Sequence, residues 1–154
     1  SFDVVIAGAG LVGLALAAAL AQGGLRVALA DRAPVAASEA DPATWDARVY
    51  AISPGSAAFL HRIGAWQQLP CDRVSAIESM HVTGDTGSVL DFSAYELGER
   101  ALAWIVEERA LRAALLPQVH AGWQLHARAC MTTAAGRRIR CGIGSGSPPP
   151  APPQ

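Results

Sequence analysis

The sequence predicts an α/β fold organised around a parallel βαβ unit, and three observations carry that prediction. Residues 3 to 7, Asp-Val-Val-Ile-Ala, are a β-branched run without alternation, the pattern of a central parallel strand buried on both faces. Residues 11 to 21 are Leu, Val and Ala broken by Gly13, a buried helix for which Gly23-Gly24 supplies the left-handed stop. Residues 26 to 30 then read as a second strand that ends at Asp31. A strand, helix and strand in so short a span return parallel through a right-handed crossover, which is half of a doubly wound, Rossmann-like fold.

Beyond this unit the punctuation is clear. Residues 33 to 47 mix Ala, Ser, Asp and Pro irregularly and predict a loop. Ser53-Pro54 predicts an N-cap followed by proline in the first turn of a second helix, with Ala57, Ala58, Leu60 and Ile63 as its apolar stripe and Gly64 as its end. From Ile77 to Phe92 strand-like runs flank Gly84-Asp85-Thr86-Gly87, a hairpin turn whose residues tolerate the required backbone angles. Trp104 to Val106 predicts a brief strand, and Leu111, Leu115 and Leu116 then recur at helical spacing. Weak strands are expected at residues 123–127 and 138–141. Residues 142–154 are Gly, Ser and five prolines with Ile143 as the one large apolar side chain, too little to offset the entropy of ordering. The expected division is therefore a domain over 1–141 and a disordered tail over 142–154.

Composition narrows the ligand. Charged residues make up 16% of the 154, with a formal net charge of −1, so no global field attracts nucleic acid or an anionic membrane. All 12 basic residues are Arg, which leaves no Schiff-base or phosphate-clamping lysine. Phosphates must be met by backbone amides or Arg. The three cysteines lack Cys-x-x-Cys spacing and the four histidines lack pairing, so neither a disulfide framework nor a metal site is indicated, and a reducing cytoplasm is the expected location. The apolar run from Leu11 to Ala21 is too short to span a bilayer. Trp66, Trp104 and Trp123 read as core residues.

Gly8-Ala9-Gly10-Leu11-Val12-Gly13 is a Gly-x-Gly-x-x-Gly run between the first strand and the first helix. In such a run Gly8 permits the tight turn, Gly10 leaves room for a pyrophosphate, and Gly13 lets the helix pack on the strand. The unpaired amides of Leu11 and Val12, at the positive end of the helix dipole, face the ligand. Asp31 ends the second strand eighteen positions after Gly13, near the spacing of a carboxylate that accepts hydrogen bonds from the adenosine ribose. Arg32 suits a 2′-phosphate, or is a solvated charge; Asp31 repels such a phosphate, so FAD or NAD is preferred over NADP.

With these residues in place the sequence resembles the flavoprotein aromatic hydroxylases, and among them the ubiquinone-biosynthesis ring hydroxylases. Asp46-Ala47-Arg48, Ala51-Ile52-Ser53, Ile63-Gly64-Ala65-Trp66, and Ile105-Val106-Glu107 with Leu111 and Leu115 follow in the family's order, over about residues 3 to 120. The resemblance implies FAD as the cofactor, with NAD(P)H as co-substrate in the intact family. It further implies that Arg48 lies along the extended FAD. Glu108 stands where relatives carry an amide or Arg touching the cofactor; as a departure it equally suits an acid in a helix first turn. No catalytic side chain is nominated, because the cofactor carries the chemistry. The implied partner is a small aromatic substrate, a prenylated phenol among them, with peripheral contact at the inner membrane. Relatives continue for more than twice this length, through an Asp-Gly segment, a Gly-Asp motif and a substrate-covering sheet. The break in composition after Arg138 is expected from truncation or a shifted reading frame. The alternatives are a truncated, non-catalytic nucleotide-binding module and an NAD-dependent dehydrogenase domain.

Overall fold

A computed structural model describes residues 2–32 and 44–120. Strand β1 (Val4–Ala7), helix α1 (Leu11–Gln22) and strand β2 (Val27–Ala30) form the expected unit. β1 and β2 pair in parallel, Val4 opposite Val27 and Ile6 opposite Leu29. Leu14, Ala17 and Ala18 of α1 are fully buried, and the two alanines are small enough to let the helix lie close to its neighbours. Gly24, at φ +83°, rather than Gly23, takes the left-handed conformation after α1.

One expectation about β1 is corrected. Val5 is 69% exposed, so β1 is not buried on both faces. Among the described residues β2 is its only hydrogen-bonded neighbour, and the parallel sheet has two strands.

The remainder of the described residues adds a three-stranded sheet and a separate two-stranded hairpin. Strand β3 (Val49–Ile52), helix α2 (Pro54–Arg62), strand β4 (Val74–Ile77), the hairpin β5 (Ser79–Thr83) and β6 (Val89–Ser93), strand β7 (Ala103–Glu107) and helix α3 (Glu108–His120) follow in order. β7 is the middle strand of an antiparallel three-stranded sheet, flanked by β3 and β4. Local sequence pattern predicts β7 and the hairpin but neither β3 nor β4. Ser53 caps α2 by accepting from the Ser56 amide at 3.4 Å, and Pro54 begins the helix. Ala57, Leu60 and Ile63 are buried as expected, whereas Ala58 is exposed and Phe59 packs on the core in its place.

The parallel sheet and the three-stranded sheet share one core. Leu14 of α1, Leu29 of β2, Val106 of β7, and Leu115 and Val119 of α3 are its largest fully buried side chains. Trp66 and Trp104 meet edge-to-face at 5.5 Å beside it, the core role expected of them. Among the described residues no helix is long and apolar enough to cross a membrane, and no group of His, Cys, Asp or Glu is placed to hold a metal. Residues 33–43 of the loop expected over 33–47, the weak strands at 123–127 and 138–141, Trp123 and the tail at 142–154 lie outside the described residues.

Candidate nucleotide-binding site

The glycine turn joins β1 to α1, and its glycines are needed for separable reasons. Gly8 has φ +105°, and its N–H donates to the Ala30 carbonyl at 2.7 Å, carrying the parallel ladder one step past β1. A Cβ on Gly13 would lie 1.9 Å from the Gly8 carbonyl oxygen, so only glycine lets the helix sit this close. A Cβ on Gly10 would meet nothing within 4 Å. Gly10 therefore faces open space, which is where a ligand's phosphates would approach. It is also the N-cap of α1, has no side chain to cap the helix, and is followed by a first turn without an acidic residue. Among the described residues, no capping side chain meets the early amides of α1 at the positive end of the helix.

A cleft of about 860 Å³ opens beside this turn. Gly8, Gly10, Leu11, Val12 and Gly13 form one wall; Tyr50 and Ile52 of β3, Phe59 of α2, and Glu108 and Leu111 of α3 contribute the others. Of the residues singled out from sequence, six therefore converge on one cavity. Asp31 and Arg48 lie near it but not in its wall. The Asp31 carboxylate faces the turn, its Oδ2 accepting from the Ala9 amide at 2.6 Å. Arg32 follows it with an exposed side chain. Arg48 pairs with Glu108 at 3.2 Å while 76% of its side chain remains exposed, and its carbonyl accepts from the Glu108 amide at 2.9 Å.

The structure also shows a polar cluster behind Arg48 that no spacing in the sequence announces. Glu107 is 4% exposed, yet its carboxylate accepts from Arg73 at 3.0 Å and from the Asp46 amide at 3.1 Å, with Arg109 at 3.6 Å. Burial pushes the Glu107 carboxyl up, but the Arg73 hydrogen bond, the Asp46 amide and the charges of Arg73 and Arg109 together hold it below the usual glutamate range. Asp46 in turn accepts from the amides of Arg48 and Arg109, at 3.0 and 3.1 Å. Its carboxyl is held low chiefly by the Arg48 amide, against an upward push from burial and with further help from the Arg109 amide. Arg109 also donates to the Thr44 carbonyl, and Arg73 lies 4.2 Å over the Trp45 ring. The cluster pins residues 44–48 to the junction of β7 and α3. On the other side of the turn, Arg112 of α3 donates to the Ala9 carbonyl at 2.9 Å.

An outward glycine, uncapped helix amides and a carboxylate at the end of β2 fit an adenine dinucleotide. Comparison with known proteins agrees and narrows the ligand. A family profile described as an FAD binding domain matches residues 3–48. The mitochondrial ubiquinone biosynthesis monooxygenase of Danio rerio is 32% identical over 122 residues, covering 77% of this chain and 25% of that protein. The 3-demethoxyubiquinol 3-hydroxylase of Escherichia coli is 35% identical over 116 residues, covering 73% and 29%. The chain thus spans about a quarter of the length of these curated relatives. Among solved structures, PqsL of P. aeruginosa superposes with a TM-score of 0.62 at 19% identity, over 89% of this chain and 37% of that one. The p-nitrophenol 4-monooxygenase of Pseudomonas putida gives 0.55 at 20%, over 77% and 28%. These two likenesses speak to the fold, and the sequence matches speak to ancestry: the chain belongs to the flavoprotein monooxygenase family, related to the ubiquinone-biosynthesis hydroxylases, and matches the FAD binding domain over residues 3–48.

Proposed function

We propose that this chain is the FAD-binding portion of a flavin-dependent monooxygenase that hydroxylates an aromatic ring in ubiquinone biosynthesis, using NAD(P)H as reductant. The observation that carries the reading is the glycine turn, where Gly10 faces open space at the head of an uncapped helix and opens onto a cleft of about 860 Å³. FAD, when bound, supplies the redox chemistry that activates oxygen for insertion into an electron-rich ring.

The chain's own residues bind and orient. The amides at the start of α1 hold the pyrophosphate, and Asp31 accepts from the adenosine ribose while keeping the turn in shape through Ala9. Arg48 and Glu108 form the remaining polar contacts. An ion pair whose arginine is this exposed contributes less than about 1 kcal/mol, so a phosphate or the flavin edge can replace Glu108 as the partner of Arg48. The apolar walls from Ile52, Phe59 and Leu111 exclude water from the bound cofactor. The proposed substrate is a small phenol, a prenylated quinone precursor among the candidates. Its lipid tail would bring an otherwise cytoplasmic protein into peripheral contact with a bilayer.

Titration of the purified chain with FAD, followed by the visible absorption of bound flavin after gel filtration, tests the reading. Retention of FAD in preference to NAD and NADP is expected. A protein that stays colourless and cannot be reconstituted refutes it.

A further inference from the structure

Ala9 is the centre of the phosphate turn and is 1% exposed, so its side chain touches no ligand. Both of its peptide groups are nevertheless held by side chains from elsewhere in the chain. Its N–H donates to Asp31 at the end of β2, and its carbonyl accepts from Arg112 Nη1 at 2.9 Å, across 103 residues. The described chain has no cis peptide, and in a planar trans unit the C=O and the N–H point in opposite directions. Arg112 therefore fixes more than a carbonyl. By holding the Ala9 oxygen it turns the N–H of the same unit, that of Gly10, away from itself. Gly10 lines the cleft and Arg112 does not, so the amide is presented on the ligand's side of the turn.

We propose that Arg112 is a positioning residue for the diphosphate: its hydrogen bond to the Ala9 carbonyl holds the Gly10 amide in the orientation that receives a phosphate oxygen. This rests on the nucleotide reading above and goes beyond it, because the residue is on α3, outside the glycine motif and outside the cleft wall. The turn is a loop of glycines whose peptide planes rotate cheaply, and Gly10 has no Cβ to limit them. Asp31 orients the plane before Ala9, and Arg112 orients the plane after it. A charged donor suits the task, since hydrogen bonds from an ionised group are the stronger kind. The arrangement also ties the turn to the helix whose first residue, Glu108, pairs with Arg48, so the two ends of the proposed cofactor contact share one rigid element.

The test uses the full chain and the variants Arg112→Met, which removes the donor, and Arg112→Gln, which keeps a donor without the charge. In the ligand-free protein the Ala9 carbonyl ¹³C resonance should move in Arg112→Met and stay near its native value in Arg112→Gln. Affinities for ADP and adenosine are then compared by calorimetry or NMR titration. Arg112→Met should weaken ADP about tenfold, the order expected for one misaligned donor to a charged group. Adenosine, which carries no phosphate, should bind as it does to the native chain. Arg112→Gln should retain most of the ADP affinity. Equal weakening of ADP and adenosine, or an Ala9 resonance unmoved in Arg112→Met, overturns the proposal, and loss of ADP affinity in both variants shows that charge rather than orientation matters and overturns it as well. Failure of the native chain to take up FAD refutes the nucleotide reading itself, whereas native uptake with an unaltered Arg112→Met refutes only the role of Arg112.

Discussion

Gly10 and Gly13 lie on the same helical turn, and substituting each should damage a different property. Gly10 has φ −73° and ψ −178°, angles open to any residue, and open space beyond its Cα. In Gly10→Ser the new hydroxyl caps the early amides of α1, a gain of a few tenths of a kcal/mol over glycine. It also occupies the place and the donors that a pyrophosphate needs. The expected outcome is an unchanged or slightly raised Tm with FAD affinity at least about tenfold weaker, read by thermal melting and flavin titration on the same sample. Gly13→Ala instead puts a methyl 1.9 Å from the Gly8 oxygen. Relieving that contact shifts backbone, at a cost of about 2 kcal/mol, so the urea midpoint should fall before any ligand is added. Equal loss of stability in the two variants would contradict the division of labour between them. The motif was legible in the sequence because both requirements are local. What the sequence did not show is that Asp31 braces the turn through the Ala9 amide, a contact that depends on where β2 ends in space.

At the scale of elements, the junction of β7 and α3 depends on a buried carboxylate. Glu107 links Arg73 before β4, Arg109 in α3 and the Asp46 amide. Glu107→Ala takes from Arg73, whose side chain is 13% exposed, its closest and most buried carboxylate partner, the Asp72 carboxylate at 3.6 Å being 72% exposed. Breaking one partner of such a pair costs about 3 kcal/mol, and the denaturant midpoint should fall accordingly. Because the same cluster pins residues 44–48, the variant should also weaken FAD binding, whereas Arg48→Ala should weaken FAD binding with little change in stability, the Arg48 side chain being 76% exposed. A Glu107→Ala chain as stable as the native one would remove the cluster from the account. This junction also marks how far the sequence could be read. α1, α2, α3 and the β5–β6 hairpin announce themselves through caps, glycine stops and apolar spacing within their own residues. β3 and β4 have four residues each, and β3 pairs Tyr50 with Val106, more than fifty positions away, so its existence is decided by a partner the local pattern does not contain. The Asp46-Ala47-Arg48 and Ile105-Val106-Glu107 segments were visible as family-like runs; that they lock to each other is a tertiary fact.

For the molecule as a whole, carboxylates close both halves of the fold, which predicts how stability responds to acid. Asp3 is clasped by the Arg26 side chain and amide across the start of β1 and β2, and its pKa is lowered to about 2. Asp46 and Glu107 clasp residues 44–48 to β7 and α3, and both are also held below their ordinary values of 3.8 and 4.5. A group whose folded pKa is depressed binds fewer protons folded than unfolded, so its stabilisation is complete above the unfolded value and disappears as the pH falls through the folded one. The urea midpoint should therefore be level near neutrality and drop steadily below about pH 4.5. The two clasps differ in setting, and salt separates them. The Asp3–Arg26 pair is 39% and 60% exposed, so added salt screens it, whereas the Glu107 cluster is shielded from solvent and keeps its contribution. Raising the ionic strength should thus reduce the acid slope only in part, and Glu107→Gln should flatten most of the salt-resistant remainder. If the Glu107→Gln chain kept the native slope at high salt, the acid sensitivity would have to come from carboxylates other than the one at the β7–α3 junction.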